Sequence, residues 1–175
     1  MTIITISGLP GSGKSTIARL LEKKLRLDYI YSGQIFRNMA KEYNMNLEEF
    51  GKYCEKHPEV DKKLDDYQLD ILKKGRVILE GRIAGWIAYK NDISAFKIML
   101  EADIDTRARR IVNREKGDGE KRKKEILKRE ESEAVRYKKY YNIDLYDKSV
   151  YDLIVESSDR TPEEIVDIIL KEINV

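Results

Sequence analysis

The chain has 175 residues, 41% of them hydrophobic, and its 34 Lys and Arg against 32 Asp and Glu give a formal net charge of +2. This balance argues against a disordered chain, which combines low hydrophobicity with high net charge, and against a general polyanion-binding protein, which carries a basic excess. A single cysteine and a single histidine exclude an intrachain disulfide, a cysteine-cluster metal site and a two-histidine metal site. No apolar run approaches the ~18 residues of a membrane span, so we expect one soluble, cytoplasmic domain.

In chain order, short apolar runs alternate with longer tracts of helical periodicity. The runs, rich in β-branched residues, predict buried strands at 1–7, 28–31, 76–80, 95–100 and 151–155. Spacing and breakers predict helices at 13–25, at 34–74 with breaks near 44–46 and 57–58, at 106–115, at 120–141, and from Thr161 onward. This alternation predicts a five-stranded parallel sheet covered by helices on both faces, a three-layer α/β/α fold.

The most specific motif follows the first predicted strand. Residues 8–15 read GLPGSGKS, which matches G-x-x-x-x-G-K-[ST] between a strand and a helix. Glycines let backbone N–H groups point at phosphates, and the following helix adds its N-terminal N–H groups and dipole. In this motif Lys14 bridges the β- and γ-phosphates, and the Ser15 hydroxyl binds Mg²⁺. We therefore predict an ATP-type triphosphate site, rather than a plain glycine-rich turn, formed by Gly8, Leu9, Pro10, Gly11, Ser12, Gly13, Lys14, Ser15 and Thr16.

The surroundings of the motif narrow the class of phosphate-loop protein. The sequence has no N-K-x-D motif of a GTPase, and a motor or AAA-type ATPase needs a longer core. A compact chain with a helical insertion and a late arginine-rich segment suits a small-molecule phosphotransferase, which closes over two substrates to keep water from the γ-phosphate. The residues alone leave open an adenylate-kinase-like or small-metabolite kinase and, outside the enzymes, a nucleotide-binding regulator or RNA-associated module.

Five blocks carry a family resemblance: YSGQIFR at 31–37, LDDYQ at 64–68, LEGRIAGW at 79–86, YNID at 141–144 and YDLI at 151–154. In this order they resemble the archaeal type of cytidylate kinase. The resemblance implies ATP- and Mg²⁺-dependent phosphorylation of CMP and dCMP on the P-loop nucleoside monophosphate kinase fold. With the predicted elements, it divides the chain into a core (1–31, 76–112 and 142–175), an NMP-binding insertion (32–75) and a lid with its flanking helices (113–141).

The acceptor site is expected from three of these blocks. Ser32 and Arg37 flank a strand-to-helix junction, where an arginine can aim its planar fork at a phosphate. The resemblance assigns Arg37 to the acceptor phosphate and Ser32 to the acceptor nucleotide. Asp65 and Gln68 are three residues apart on a predicted helix, so they share a face and are candidates to read the edge of a base, the alternative being a solvated face. The resemblance also makes Arg82, at the carboxyl edge of a buried strand, an acceptor ligand.

Two neighbours of Arg82 bear on the same site. Glu80 ends the third predicted strand, where an acidic side chain could hold Mg²⁺ through water. Bacterial cytidylate kinases have a Gly-Arg-Asp sequence here, whereas this chain has Ile83 in the place of the Asp. The role of that Asp is therefore not carried over to this chain.

A strongly basic segment follows, with 14 basic and 7 acidic side chains in residues 107–139. A nucleic-acid face is one interpretation. Two helices joined by a glycine-containing loop also form a lid that brings arginines onto a transferring phosphoryl group. We predict that the lid arginines contact phosphates and act in catalysis together with Lys14, namely Arg110, Arg129 and Arg136, with Arg114 as a further candidate. We expect small nucleotides as partners, with no nucleic acid or membrane, and a monomer.

Overall fold

The computed structural model describes residues 2–173 and contains a five-stranded sheet whose neighbouring strands are all parallel. The strands are β1 (Ile3–Gly8), β2 (Asp28–Tyr31), β3 (Val77–Glu80), β4 (Phe96–Glu101) and β5 (Leu153–Glu156). Their order across the sheet is β2-β3-β1-β4-β5, so β1 is central. The segment that follows β1 therefore lies at the middle of the carboxyl edge, where α/β sheets bind ligands.

Eight helices occur in the described residues. They are α1 (Lys14–Leu25), α2 (Ser32–Glu42), α3 (Leu47–Lys56), α4 (Pro58–Lys74), α5 (Ala84–Lys90), α6 (Ile104–Glu115), α7 (Gly119–Tyr141) and α8 (Pro162–Glu172). Within residues 2–173, no helix is both long enough and apolar enough to cross a membrane.

Helices cover both faces of the sheet, which confirms the predicted three-layer α/β/α fold. Successive side chains of a strand point to opposite faces, and Ile78 of β3 accordingly joins a different apolar cluster from Val77 and Leu79. The first cluster contains residues of α1 and α8, and the second contains residues of α4, α5 and α7. The sheet is thus apolar on both sides, as its continuous apolar strands predict.

The segment between β2 and β3 consists of three helices, α2 to α4. The predicted breaks near 44–46 and 57–58 are confirmed, since α3 begins after Asn46 and α4 begins at Pro58. Asn46 and Glu49 form a reciprocal capping box, which satisfies two N-terminal N–H groups of α3. The segment has a small apolar core of its own, around Phe36 and Phe50.

Helix α5 is absent from the predicted elements. It is only seven residues long, and tertiary contacts hold it: the Gly85 N–H donates to Ser7 Oγ at 3.1 Å. A Cβ atom on Gly85 would lie 2.5 Å from Cε1 of Tyr151. The helix thus depends on a close approach to residues distant in sequence, which periodicity does not reveal.

Candidate active site

The glycine-rich segment between β1 and α1 has a backbone that requires glycine at defined positions. Gly11 and Gly13 have φ values of +81° and +97°, a left-handed conformation that glycine adopts without strain. A Cβ atom on Gly11 would lie 2.6 Å from the carbonyl oxygen of Arg107. The segment therefore has neither the conformation nor the room for a side chain at Gly11.

Lys14 is the first residue of α1 and is 5% exposed. Its Nζ donates to the carbonyl oxygen of Leu9 at 3.0 Å. Burial, together with the positive charge of Arg82, lowers the pKa of Lys14 to about 7. A phosphate beside Lys14 would favour its ammonium form, because an opposite charge raises the pKa of an amine.

Ser15 and Glu80 bring two oxygen ligands together beside the glycine-rich segment. Ser15 Oγ donates to Glu80 Oε1 at 3.0 Å, and the Tyr29 hydroxyl donates to Glu80 Oε2. Burial and the hydrogen bond to Glu80 raise the pKa of Tyr29. Hydroxyl and carboxylate oxygens are ligands that Mg²⁺ accepts, usually with phosphates and water completing its coordination. Among the described residues, no group of three or more His, Cys, Asp or Glu side chains is arranged to hold a metal ion.

A cavity of about 470 Å³ lies against the glycine-rich segment, Ser15 and Glu80. Its walls come from the core, from α2 and α3, and from α6 and α7. Its basic lining residues are Lys14, Arg37, Arg82, Arg114, Arg122 and Arg129. Four carboxylates, those of Glu48, Glu80, Glu115 and Glu125, line the same cavity. The six cations exceed them, and such a cleft suits a polyanionic ligand such as a set of phosphates.

A buried ion-pair network holds two of these arginines. Glu133 of α7 accepts from Arg82 Nε at 2.6 Å and from Arg129 Nε at 3.0 Å. Burial alone would raise the pKa of Glu133, but the charges of Arg82, Arg129 and Arg136 lower it to about 2. Glu133 is not among the predicted site residues, although its four-residue spacing from Arg129 was visible in the sequence. It fixes the two guanidinium groups at the wall of the cavity.

Arg37 lies half-buried in the same cavity on α2. Among residues 2–173, no carboxylate lies within ion-pair distance of its guanidinium, unlike those of Arg82 and Arg129. Its donors are thus free for an anionic ligand, and its assignment to the acceptor phosphate stays a prediction.

A second cavity of about 40 Å³ shares Lys14, Arg82 and Arg129 with the first. Ser32 and Gln68 line it, and they are 6% and 3% exposed. The remaining lining residues include Gly33, Phe36, Leu64, Gly81, Ile83 and Tyr137. The structure therefore brings Ser32, Gln68 and Arg82 together.

Asp65 is placed differently from Gln68. It lines a separate cavity of about 510 Å³ between α4, α5 and the end of α7, and it reaches the smaller cavity only through its hydrogen bond to Gln68 Nε2 at 3.2 Å. Burial raises the pKa of Asp65 to about 7. The two side chains contact each other, as expected for residues on one face of a helix. Only Gln68, however, lines the cavity that also contains Arg82.

Arg110 and Arg136 do not line the 470 Å³ cavity. Arg110 donates to Ser157 Oγ at 3.0 Å and to the carbonyl oxygen of Gly11 at 3.3 Å, so it braces the glycine-rich segment against the end of β5. Arg136 is 3% exposed and donates to Asp61 Oδ2 at 3.0 Å. It lines the smaller cavity and a separate cavity of about 500 Å³ between α3 and α7. Both guanidinium groups have protein partners in this state.

Several other basic side chains of residues 107–139 are also paired within the molecule. Arg107 donates to Glu130 and to the carbonyl oxygen of Ala102, and it is 5% exposed. Arg122 pairs with Glu125 at 2.8 Å. Arg114 remains 59% exposed at the cavity mouth. Part of the basic segment is therefore engaged within the molecule, while eight of its fourteen basic side chains remain exposed.

Residues 3–159 match the cytidylate kinase-like family. The chain is 46% identical over 168 residues to the cytidylate kinase of Methanocaldococcus jannaschii, with 95% of this chain and 94% of the relative covered. It is 49% identical over 157 residues to the cytidylate kinase of Methanococcus vannielii, covering 89% and 90%. The solved shikimate kinase of Bacteroides thetaiotaomicron shares the fold, with a TM-score of 0.63 at 14% identity over 99% of both chains. The matches extend over nearly the whole chain, and this protein belongs to the cytidylate kinase-like family.

Proposed function

We propose that the protein transfers the γ-phosphoryl group of ATP to CMP or dCMP, forming ADP and CDP or dCDP. One observation carries the proposal: Lys14 of the phosphate loop and Arg37 of the insertion line the same cavity, together with Arg82 and Arg129. A donor triphosphate and an acceptor phosphate can therefore meet in one cleft. The family and its 43–49% identical relatives supply the nucleotide class of the acceptor.

The donor ATP would lie with its phosphates on Gly8–Thr16. The N–H groups of this segment and the N-terminus of α1 would surround the β-phosphate, and Lys14 would exchange the Leu9 carbonyl for phosphate oxygens. Lys14 is already desolvated, so its ammonium would interact strongly with the phosphates.

The site residues fit Mg²⁺ bound with the nucleotide. Ser15 would hold the ion directly and Glu80 through water, since their oxygens already lie 3.0 Å apart. The ion, when bound, neutralises charge on the β- and γ-phosphates. Tyr29 keeps the Glu80 carboxylate in place through its hydroxyl.

The acceptor nucleotide would bind with its phosphate on Arg37 and Arg82 and its base toward Ser32 and Gln68. Arg37 has free donors, and Arg82 is oriented by Glu133. The smaller cavity has a volume of only about 40 Å³, so α2 and α4 must move apart slightly to admit a base. We assign Asp65 to this site through its contact with Gln68.

The chemistry needs no general base, because the attacking group is an ionised phosphate oxygen. It attacks the γ-phosphorus, the bond to the β-phosphate oxygen breaks, and catalysis consists of alignment and charge stabilisation. Arg129 lines the cavity, and we assign it to the transferring phosphoryl group. We propose that Arg110 and Arg136 contact phosphates only in a closed state, in which they exchange their present partners.

We place the protein in the cytoplasm as a monomer that acts on ATP, CMP and dCMP, without nucleic acid. The support against a nucleic-acid role is that several arginines of the basic segment, among them Arg107 and Arg136, are paired with carboxylates of the same chain. These assignments rest on the proposed substrates.

An acceptor panel tests the function. ATP consumption is measured with CMP, dCMP, UMP, AMP, GMP and shikimate, using Lys14→Met as the inactive variant and the exposed Lys124→Met as its matched control. We expect turnover with CMP and dCMP, a fall of about 10²-fold or more in Lys14→Met, and no change in Lys124→Met. The fold is shared with shikimate kinase, so turnover with shikimate in place of CMP would favour a small-metabolite kinase.

A further inference from the structure

The Gln68 carboxamide has a defined orientation. Its amide nitrogen lies 3.2 Å from Asp65 Oδ1 and 3.5 Å from the carbonyl oxygen of Leu64. An ionised carboxylate and a carbonyl are acceptors only, so the side facing them must be the NH₂ group. The Oε1 atom is left buried with no hydrogen-bond partner, in a residue that is 3% exposed. An unpaired buried acceptor is costly, which suggests a ligand donor.

Ser32 offers the same chemistry beside it. Its hydroxyl donates its one proton to the carbonyl oxygen of Glu80 at 2.8 Å, so only lone pairs remain for a ligand. A Cβ atom built on Gly81 would lie 2.9 Å from Gln68 Oε1 and 2.4 Å from Ser32 Oγ, so both oxygens lie close to this glycine. The two oxygens therefore converge on Gly81, at the wall of the smaller cavity.

We propose that Gln68 and Ser32 form a pair of acceptors that selects an aminopyrimidine over a ketopyrimidine in the acceptor nucleotide, and that Asp65 is the positioning residue that sets this preference. The inference rests on the proposed function. The exocyclic amine of cytosine has two N–H donors for the two oxygens. The O4 atom of uracil would face both oxygens without a proton between them, and a site built for a donor strongly rejects the analogue that lacks it.

Asp65 acts from behind the base site. Because its carboxylate holds the NH₂ group of Gln68, the carboxamide cannot turn that group toward the base. An asparagine at position 65 has both a donor and an acceptor, and it would permit either orientation of Gln68. With its NH₂ group turned inward, Gln68 would donate to uracil O4.

The first test compares kcat/KM for CMP and UMP in Asp65→Asn and in Asp66→Asn. Asp66 is an exposed carboxylate of the same helix and serves as the matched control. We expect the wild type and Asp66→Asn to prefer CMP by about 10²-fold or more. In Asp65→Asn the preference should narrow by roughly ten-fold or more, with a gain in UMP use. A general structural defect would lower kcat/KM for both substrates and would not raise UMP turnover.

The preference should also depend on pH. Burial raises the pKa of Asp65 to about 7, so lowering the pH from 8 to 6 protonates it and allows it to donate to Gln68 Oε1. The charged and titratable groups around Asp65 come from three helices. They are Asp61, Lys62 and Asp66 of α4, Arg136, Tyr137, Lys139, Tyr140 and Tyr141 of α7, and Lys90 of α5. The ratio of kcat/KM for CMP to kcat/KM for UMP cancels pH effects that are common to both substrates. This ratio should decrease in the wild type as the pH is lowered from 8 to 6, and it should stay constant in Asp65→Asn.

Gln68→Ala provides a second variant. It should lower CMP use by about ten-fold or more and leave UMP use unchanged or raise it, because CMP loses a hydrogen bond whereas UMP loses an unfavourable contact between two acceptors. An enzyme that uses CMP normally but shows the wild-type ratio in Asp65→Asn and in Gln68→Ala would overturn this inference alone. A wild type that phosphorylates neither nucleotide would contradict the proposed function, and this inference with it.

Discussion

Arg82 Nε donates to Glu133 Oε2 at 2.6 Å, which joins the end of β3 to α7 across 51 residues of sequence. The same carboxylate accepts from Arg129, so one buried anion holds two cations at the wall of the cleft. Glu133→Gln should destabilise the protein by about 3 kcal/mol, because it leaves two half-buried guanidinium groups without their buried counter-charge. Denaturant unfolding measures this loss, with the exposed Glu131→Gln as the control. CMP should stabilise Glu133→Gln more than the wild type, because its phosphate would replace the missing charge.

The acid dependence of stability offers a second readout for Glu133. Its pKa is about 2 in the folded protein and 4.5 at its ordinary value. Between these values only the unfolded chain binds the proton, so the stabilisation is complete above pH 4.5 and is lost as the pH falls toward 2. Glu133→Gln should therefore show a flatter decline in stability over this range. Parallel curves for the two proteins would contradict the assigned ion-pair network.

Removing the Arg37 side chain should impair the use of CMP and leave the binding of ATP almost unchanged. Arg37→Ala removes the unpaired guanidinium from the cleft, and a charge-assisted bond is worth about 1.5–3 kcal/mol, so kcat/KM for CMP should fall about ten- to a hundred-fold. The KM for ATP should stay within two-fold. Arg37→Lys should recover only part of the loss, because an ammonium lacks the bidentate fork. Lys41 is exposed on the same helix, and Lys41→Ala is the control. If Arg37→Ala changed the KM for ATP and left kcat/KM for CMP unaltered, the donor and acceptor sites would be reversed.

Arg136 and Asp61 form a buried pair whose structural and catalytic roles can be separated. Each of Arg136→Met and Asp61→Leu should cost about 3–5 kcal/mol, since each leaves one buried charge unpaired. The double variant should be much more stable than the sum of the two losses predicts. Its kcat then decides the role: near-normal turnover means that Arg136 braces α7 against α4, and a loss of about 10²-fold supports the predicted phosphate contact.

Gly11→Ala should disrupt the phosphate loop. The residue has a φ of +81°, and its Cβ would lie 2.6 Å from the Arg107 carbonyl oxygen. Because that oxygen belongs to the backbone of a buried segment, the loop itself must shift, and ATP affinity should fall by about ten-fold or more. Gly119→Ala is the matched control, since no atom lies within 4 Å of its Cβ position. Calorimetric ATP titration of both variants checks the expectation, which fails if they bind ATP equally well.

The phosphate loop and the order of strands and helices could be predicted from the sequence because their determinants are local. Gly8 to Ser15 are contiguous, and backbone geometry alone makes such a segment suited to phosphates. The apolar strands were visible because a strand buried on both faces needs a continuous run of apolar residues. Helix α5 was not predicted, because the residues that contact it, Ser7 and Tyr151, are far from it in the sequence.

The partners of the charged side chains were decided only by tertiary structure. Arg136 meets Asp61 across 75 residues, and a spacing pattern on α7 does not state which neighbouring helix supplies the carboxylate. Residues three apart on a helix differ by about 60° around its axis, so Asp65 and Gln68 touch each other and yet line different cavities. Helical periodicity therefore predicts the direction of a side chain around the helix axis only to within about 60°. The packing of α4 against α5, α7 and β3 determines which residues each side chain contacts.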